Sequence, residues 1–321
     1  MLSYSGSLFK LLFMSKILVT GGAGFIGSTL VDRLVDDGHN VVVVDNLSSG
    51  RRDYLNPQAT FYEVDICQPE LGEVFKTEKP EIVYHLAAQI DLRRSVEDPI
   101  FDNKVNVIGT VQVLENCRLN EVKKIIFVST GGAIYGEATE IPTSEAAPTY
   151  PLSPYGIHKL TAEKYCKFYQ EVYGLDYTIL RFANVYGPRQ YKGGEAGVVS
   201  IFIDRAVAGE PCIINGDGLQ TRDYVYIDDV VAALAATKDV KYPGEINIGR
   251  GQEVSVLDIV AAIKSAGVDF APEHGPAKPG EQRRSVLSYA RARKVLSWEP
   301  QIALEEGVLR TLSWTKKQHA Q

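Results

Sequence analysis

The stretch from Lys16 to Asp45 leaves this chain few folds to choose from. Lys16–Thr20 is a short apolar strand, and Gly21-Gly22-Ala23-Gly24-Phe25-Ile26-Gly27 follows it directly. A helix then carries Phe25, Leu30, Val31, Leu34 and Val35 on one face until Gly38 stops it. Val41–Val44 is a continuous apolar run, which suits a parallel strand buried on both faces, and it ends in Asp45. Strand, glycine turn, helix, strand and acid, in that order, open a doubly wound parallel sheet.

The alternation continues along the chain. Strands are expected at Thr60–Val64, Ile82–His85, Ile125–Ser129 and Tyr177–Phe182, with helices at Asn103–Leu119 and Pro154–Tyr173. Strands alternating with helices give a parallel sheet with right-handed crossovers. After Arg181 the pattern loosens into glycine-rich Tyr186–Gly197, a helix at Val198–Gly209 and a strand at Cys212–Asn215. The helix Asp228–Thr237 and strand Glu245–Ile248 read as a return to the first lobe. Helices near Val256–Ala266, Ala290–Leu296 and Leu304–Lys317 complete a second one. The expected fold class is α/β, a Rossmann-type doubly wound parallel sheet with a smaller, interleaved α/β substrate lobe. Residues 14–182, with 224–250 returning, form the first lobe; residues 183–223 and 251–321 form the second.

Composition narrows the partners. In 321 residues, hydrophobic content of 45% and charged content of 23% are those of an ordinary globular protein. A net charge of −6 argues against general binding to nucleic acid or to an anionic membrane, and no apolar run approaches a membrane span. Cys67, Cys117, Cys166 and Cys212 show no CxxC spacing and no histidine pairing, so they read as reduced thiols in a cytoplasmic protein with no metal site. Residues 1–13 lack the long apolar core and small-residue cleavage site of a signal peptide. They read as a dispensable tail, or as lying ahead of a translation start at Met14.

Several stretches carry chemistry. The turn Gly21-xx-Gly24-xx-Gly27 lets backbone approach a pyrophosphate at a helix N-terminus, where free N–H groups and the helix dipole favour anions. Asp45 at the next strand end suits a ribose diol and repels a 2′-phosphate, which favours NAD over NADP; Arg51 and Arg52 argue the other way if they fold back. Asp65 can accept from an adenine amino group while Ile66 packs on the ring. His85-Leu86-Ala87-Ala88-Gln89 places small residues at a strand's carboxyl end, where open α/β sheets bind ligands; His85 itself reads as a packed strand histidine.

Ser153 reads as an N-cap and Pro154 as the first helical position of a helix bearing Tyr155 and Lys159, which share one face at i, i+4. A free tyrosine titrates near pH ~10, so work as a base near neutrality requires about 4 kcal/mol of help. A neighbouring ammonium, aided by the charge of an oxidised nicotinamide, favours the phenolate. A hydroxyl from Ser129-Thr130, at the end of the fifth strand, can relay the substrate proton to Tyr155.

Taken with Asn106-xx-Gly109-Thr110, Arg181-Phe182-Ala183-Asn184-Val185-Tyr186-Gly187-Pro188-Arg189 and Arg222-Asp223-Tyr224, these motifs resemble the extended short-chain dehydrogenases/reductases. Within them the chain is most similar to nucleotide-sugar epimerases of the UDP-glucose 4-epimerase type, from about Lys16 to the C-terminus. The resemblance implies Tyr155 as base, Lys159 as its partner and ribose ligand, and Thr130 as relay. It implies an NAD site that includes Asn46, Ser48, Gly50, Leu86, Ala87, Ala88, Gln89 and Asn106 beside the glycine turn, Asp45, Asp65 and Ile66. The nucleotide-sugar would be held by Asn184, Gly197, Val198, Arg222, Glu281 and Ser285. An arginine fork suits a diphosphate on chemical grounds too, the plainer reading being a surface Arg222 paired with Asp223. There are two departures. Gly131-Gly132-Ala133 lengthens the loop by one residue, so Ser129 competes with Thr130. Lys278-Pro279-Gly280-Glu281 also has lysine where many relatives carry arginine.

The reaction so implied is 4-epimerisation of a UDP-sugar: Tyr155 takes the 4-hydroxyl proton, hydride leaves C4 for the nicotinamide, and the 4-keto sugar turns over before hydride returns. Dehydratases and decarboxylases need carboxylates just after the threonine, where this chain has Gly131 and Gly132. A uronate substrate stays open through Arg93, Arg94 and Arg189, and a non-catalytic NAD-binding sensor is a remote alternative. In similar epimerases a residue shortly after the Pro-Gly-acid motif flanks the sugar, and the resemblance implies Ser285, four residues after Glu281, as that position, with room for an N-acetyl group unless Arg283 or Arg284 fills it. Val105, Val113 and Leu114 with Phe168 and Val172 suggest, together with the resemblance, a homodimer through paired helices.

Overall fold

The computed structural model describes residues 14–190, 197–277 and 282–320. The tail 1–13, and Glu281 with the rest of the motif at 278–281, lie outside the described residues.

Seven parallel strands make the central sheet. They are β1 (Lys16–Thr20), β2 (Asn40–Asp45), β3 (Thr60–Glu63), β4 (Ile82–His85), β5 (Lys124–Thr130), β6 (Asp176–Phe182) and β7 (Glu245–Ile248). Their spatial order, β7-β6-β5-β4-β1-β2-β3, reverses direction at β1, which puts a crevice at the carboxyl ends of β1 and β4. Period-2 alternation explains the uninterrupted apolar runs. Ile17, Val19, Val41 and Val43 enter one core, and Leu18, Val42 and Val44 enter the other.

Helix α1 (Phe25–Asp36) covers the first face together with Ile227–Thr237. The opposite face is covered by α2 (Glu70–Glu78), α5 (Thr110–Leu119) and the long α6 (Pro154–Tyr173), while α3 (Leu92–Glu97) and α4 (Pro99–Asn103) pack against α6. The helix expected over Asn103–Leu119 differs: it begins at Pro99, and residues Lys104–Gly109 form a π turn before α5. In α6, Ser153 accepts from the Gly156 N–H at 3.2 Å and Pro154 occupies the first turn, while Gly174 closes the helix in the left-handed region at φ 75°. Beyond Phe182 the chain builds small sheets. Asn184–Tyr186 pairs in parallel with Tyr224–Tyr226, and Thr221–Arg222 pairs with both Val254–Ser255 and Arg284–Ser285. Of these, Asn184–Tyr186 follows β6 and Val254–Ser255 follows β7, so the small sheets start from one end of the central sheet.

Candidate active site

The glycine turn is closed by contacts that only glycine permits. A Cβ on Gly27 would lie 2.0 Å from the Gly21 carbonyl oxygen, and one on Gly21 would lie 2.7 Å from the Ala87 nitrogen. Gly24 is the N-cap of α1 and no side chain caps that helix, so Phe25, Ile26 and Gly27 open it with backbone donors facing the crevice. Asp45 sits at the end of β2, 8% exposed, accepting from the Ala23 N–H at 3.0 Å and the Leu47 N–H at 2.8 Å. Burial pushes its carboxyl above the usual range, against those two backbone donors. Gly50 packs on Ala23 and Asp45, where a Cβ would meet either at 2.9 Å. Asn46 donates to Asp65 at 2.9 Å and its own oxygen holds the Ser48 N–H at 3.1 Å. Arg51 pairs with Asp53 and Arg52 with Glu63, so neither folds back toward Asp45. This cradle fits a dinucleotide, with backbone donors for a pyrophosphate and an acid at the adjoining strand end.

Three expectations change. Ile66 is 5% exposed and packs on Gly109 in the core, so its side chain is unavailable to an adenine ring. Asn106, 1% exposed, exchanges hydrogen bonds with the backbone of Gln89, at 3.0 and 2.8 Å, and so shapes the Leu86–Asp91 loop from beneath. Ser129 donates to Glu163 at 2.6 Å inside a closed polar cluster, which removes it from the relay role. Leu86 and Ala87 donate their N–H groups to Thr20, at 3.1 and 3.2 Å, which brings the loop, with Ala88, over the glycine turn. His85 is held by Thr20 and Thr110, and burial drives it down to about 3, so it is neutral.

The Thr130 hydroxyl neighbours Tyr155 and favours its phenolate. The same Thr130 caps the one-turn helix Gly131–Ile134 by accepting from the Ala133 N–H at 3.3 Å. The chain's own groups push the Tyr155 phenol up. Burial dominates and the Asp102 carboxylate adds to it, opposed by the Thr130 hydroxyl. Lys159 is 4% exposed with Nζ 4.2 Å above the Phe127 ring, and burial lowers it to about 8 although Glu163 acts against this. A Cβ on Gly132 would lie 3.9 Å from Asn184 Oδ1 and 4.0 Å from Thr130 Oγ1, so those groups flank one space. At Gly131 a Cβ would strike Leu287 at 2.3 Å. Arg222 lies in register with Ser285, and Asp223 does not pair with it: the Asp223 carboxylate accepts from the backbone N–H groups of Arg250, Gly251 and Leu287. Gly197 and Val198 begin the helix Val198–Ala208, whose N-terminus also lacks a side-chain cap. Arg189 pairs with Asp32 at 2.8 Å and donates to Ser28, and Arg94 stacks on Phe101, which draws both away from a uronate role.

A model of the NAD-dependent epimerase/dehydratase family matches residues 17–249. The chain belongs to this family. It is 47% identical to the UDP-glucose 4-epimerase of Mycolicibacterium smegmatis over 306 residues, covering 93% of this chain and 98% of that one. Among solved structures, the UDP-glucose 4-epimerase of Thermotoga maritima with UDP-glucose is 47% identical with a TM-score of 0.93, over 95% of this chain and 99% of that chain. The Thermus thermophilus UDP-glucose 4-epimerase complex with NAD is 40% identical with a TM-score of 0.88, over 94% of this chain and 99% of that chain.

Two clusters in this family member are absent from the sequence reading. In the first, Glu163, 1% exposed, receives Arg181 at 2.9 and 2.6 Å as well as Ser129, and Arg181 also donates to the Tyr135 hydroxyl at 2.8 Å. This ties the end of β5 to α6 one turn beyond Lys159. The second joins Asp102, His158, Gln89 and Asn106. Glu163 and His158 stand at i+4 from Lys159 and i+3 from Tyr155. That spacing was the available signal, but nothing in it distinguishes a buried partner from a solvated one.

Proposed function

We propose that the protein interconverts UDP-glucose and UDP-galactose by NAD-dependent 4-epimerisation. The observation that carries this reading over its relatives' eliminations is the pair of glycines after Thr130. The space beside Thr130 and Asn184 holds no carboxylate from Gly131 or Gly132, and Leu287 fills the position a side chain at 131 would need.

NAD is the cofactor; when bound it takes up and returns the C4 hydride and, oxidised, adds positive charge that favours the Tyr155 phenolate. The glycine turn, the opening N–H groups of α1 and Asp45 hold it. Lys159 in its ammonium form supports the phenolate from the same helix face. Tyr155 removes the 4-hydroxyl proton, assisted by Thr130, and returns it after the 4-keto sugar has presented its other face. Asn184, Arg222 and the uncapped helix start at Gly197 and Val198 take the diphosphate and sugar, with Ser285 beside Arg222 leaving room for an N-acetyl group. Residues 14–182 with 224–250 serve the cofactor, and 183–223 with 251–321 serve the sugar nucleotide.

The protein is read as a cytoplasmic homodimer. Its cysteines are free thiols, and no described helix is long and apolar enough to cross a membrane. Val113 and Leu114 face the core, which corrects their assignment to a dimer surface; Leu119 on α5 and Phe168 and Val172 on α6 supply exposed apolar area, with Ile100 on α4 and Ile108 in the π turn. Incubation with UDP-glucose and no added NAD should yield UDP-galactose, and Tyr155→Phe should lower that turnover by about 10²–10⁴-fold. Absence of UDP-galactose, or a Tyr155→Phe variant as fast as wild type, contradicts the proposal.

A further inference from the structure

Asp102 is a fully buried carboxylate on α4, 0% exposed, with partners from three separate segments. One oxygen accepts from Gln89 Nε2 at 2.7 Å and Asn106 Nδ2 at 3.1 Å; the other meets His158 Nδ1 at 2.5 Å. Gln89 belongs to the loop that lies over the glycine turn. Asn106 sits in the π turn Lys104–Gly109, a form frequent at functional sites. His158 is on α6 between Tyr155 and Lys159, with its side chain 12% exposed.

We propose that Asp102 and His158 form a positioning pair that locks the cofactor loop to the catalytic helix and so holds Tyr155 and Lys159 against the bound nicotinamide. Neither residue touches the reacting atoms. A carboxylate buried this deeply is tolerated because all its donors are supplied, and removing any one leaves a costly unpaired group. The pair also sits electrostatically on the reaction. The Asp102 charge disfavours the Tyr155 phenolate and favours the Lys159 ammonium. Of the other charged groups on the elements around it, Asp91 and Asp98 cap α3 and α4 and accept from backbone N–H groups there, and Glu97 is exposed. Arg93 and Arg94 are exposed on α3, with Arg94 stacked on Phe101. Lys104 acts on Asp65 and Cys67, and Glu163 is bound to Arg181.

The inference rests on the epimerase reading, and its test separates the two. Asp102→Asn keeps the size and removes the charge; one amide must then face donors on both sides. NAD should leave this variant roughly 10-fold faster, the loss of about one charge-assisted hydrogen bond, read by retention of cofactor during gel filtration. The acid limb of its kcat profile should move to lower pH, because a charge opposing the phenolate is gone. A purely structural role would lower activity at every pH without moving the limb. His158→Ala should reduce kcat roughly 10- to 100-fold through misplacement of Tyr155, while His158→Gln, which restores a donor to Asp102, recovers most of the loss. If Asp102→Asn does not fold, judged by circular dichroism, the two His158 variants decide alone. Wild-type NAD retention with an unmoved acid limb in Asp102→Asn, or equal losses in His158→Ala and His158→Gln, overturns the proposal. Failure of the wild type to epimerise UDP-glucose would instead refute the functional reading, leaving the NAD-retention comparison as the test of the pair.

Discussion

Glu163→Gln tests how the end of β5 is fastened to the catalytic helix. Wild-type Glu163 accepts two hydrogen bonds from Arg181 and one from Ser129, and the side chains of the ion pair are 1% and 4% exposed. The amide removes the buried, hydrogen-bonded counter-charge and turns an N–H₂ group toward a guanidinium that has no use for a donor. The nearest other carboxylate among the described residues is Glu245, at 4.0 Å. Stranding a buried charge in this way costs about 3–5 kcal/mol, against a total stability on the order of 5–15 kcal/mol. At about 2 °C per kcal/mol for a large chain, Tm should fall by roughly 6–10 °C. Scanning calorimetry of wild type and variant at one fixed NAD concentration reads this, because bound cofactor shifts both curves. Replacing both partners, Glu163→Leu with Arg181→Met, should cost less than Glu163→Gln alone, since no charge is then left unpaired. A single-variant loss below about 1 kcal/mol, the range of exposed pairs, would refute the reasoning, as would a double variant worse than the single.

Three further outcomes follow from the same geometry. Gly27→Ala should abolish NAD retention, because its Cβ falls 2.0 Å from the Gly21 carbonyl oxygen and the turn must open; a variant purified with a full complement of NAD contradicts this. Activity should decline as pH rises through about 8, where Lys159 loses the ammonium that supports the phenolate, and Glu163→Gln should move that decline to lower pH because the Glu163 charge holds Lys159 up; a flat alkaline profile argues against the role of Lys159. Ser285→Tyr should depress turnover of UDP-N-acetylglucosamine by about 5- to 150-fold, the usual range for overpacking a formed site, while sparing UDP-glucose; equal losses on both substrates remove Ser285 as the gate.

The central sheet was legible because every strand that is buried on both faces reads as an apolar run, and the glycine turn with Asp45 marks where the sheet begins. Helix α2 was not expected. Its apolar positions Leu71, Val74 and Phe75 have helical spacing, but the element is 9 residues long and contains Gly72. The π turn at Lys104–Gly109 was equally hidden, since the apolar pattern runs through it without a break. At the site, the spacing of Tyr155 and Lys159 puts them on one helix face and the family resemblance adds Thr130, whereas Asp102 and Glu163 look like ordinary solvated helix acids. Their burial depends on segments far away in the chain, such as Gln89 and Arg181, and local pattern carries no record of that. The desolvation that raises the Tyr155 phenol was hidden for the same reason, because it is set by tertiary packing and not by a neighbour four residues on.

The claim that a single hydride leaves and returns to the same carbon is tested most directly with UDP-glucose carrying deuterium at C4. The label should be found at C4 of the UDP-galactose formed, in water and with unlabelled NADH added to the medium. Label washed out into solvent would indicate proton abstraction at carbon, and label appearing in the added cofactor pool would indicate a dissociating redox pair; either result contradicts the account.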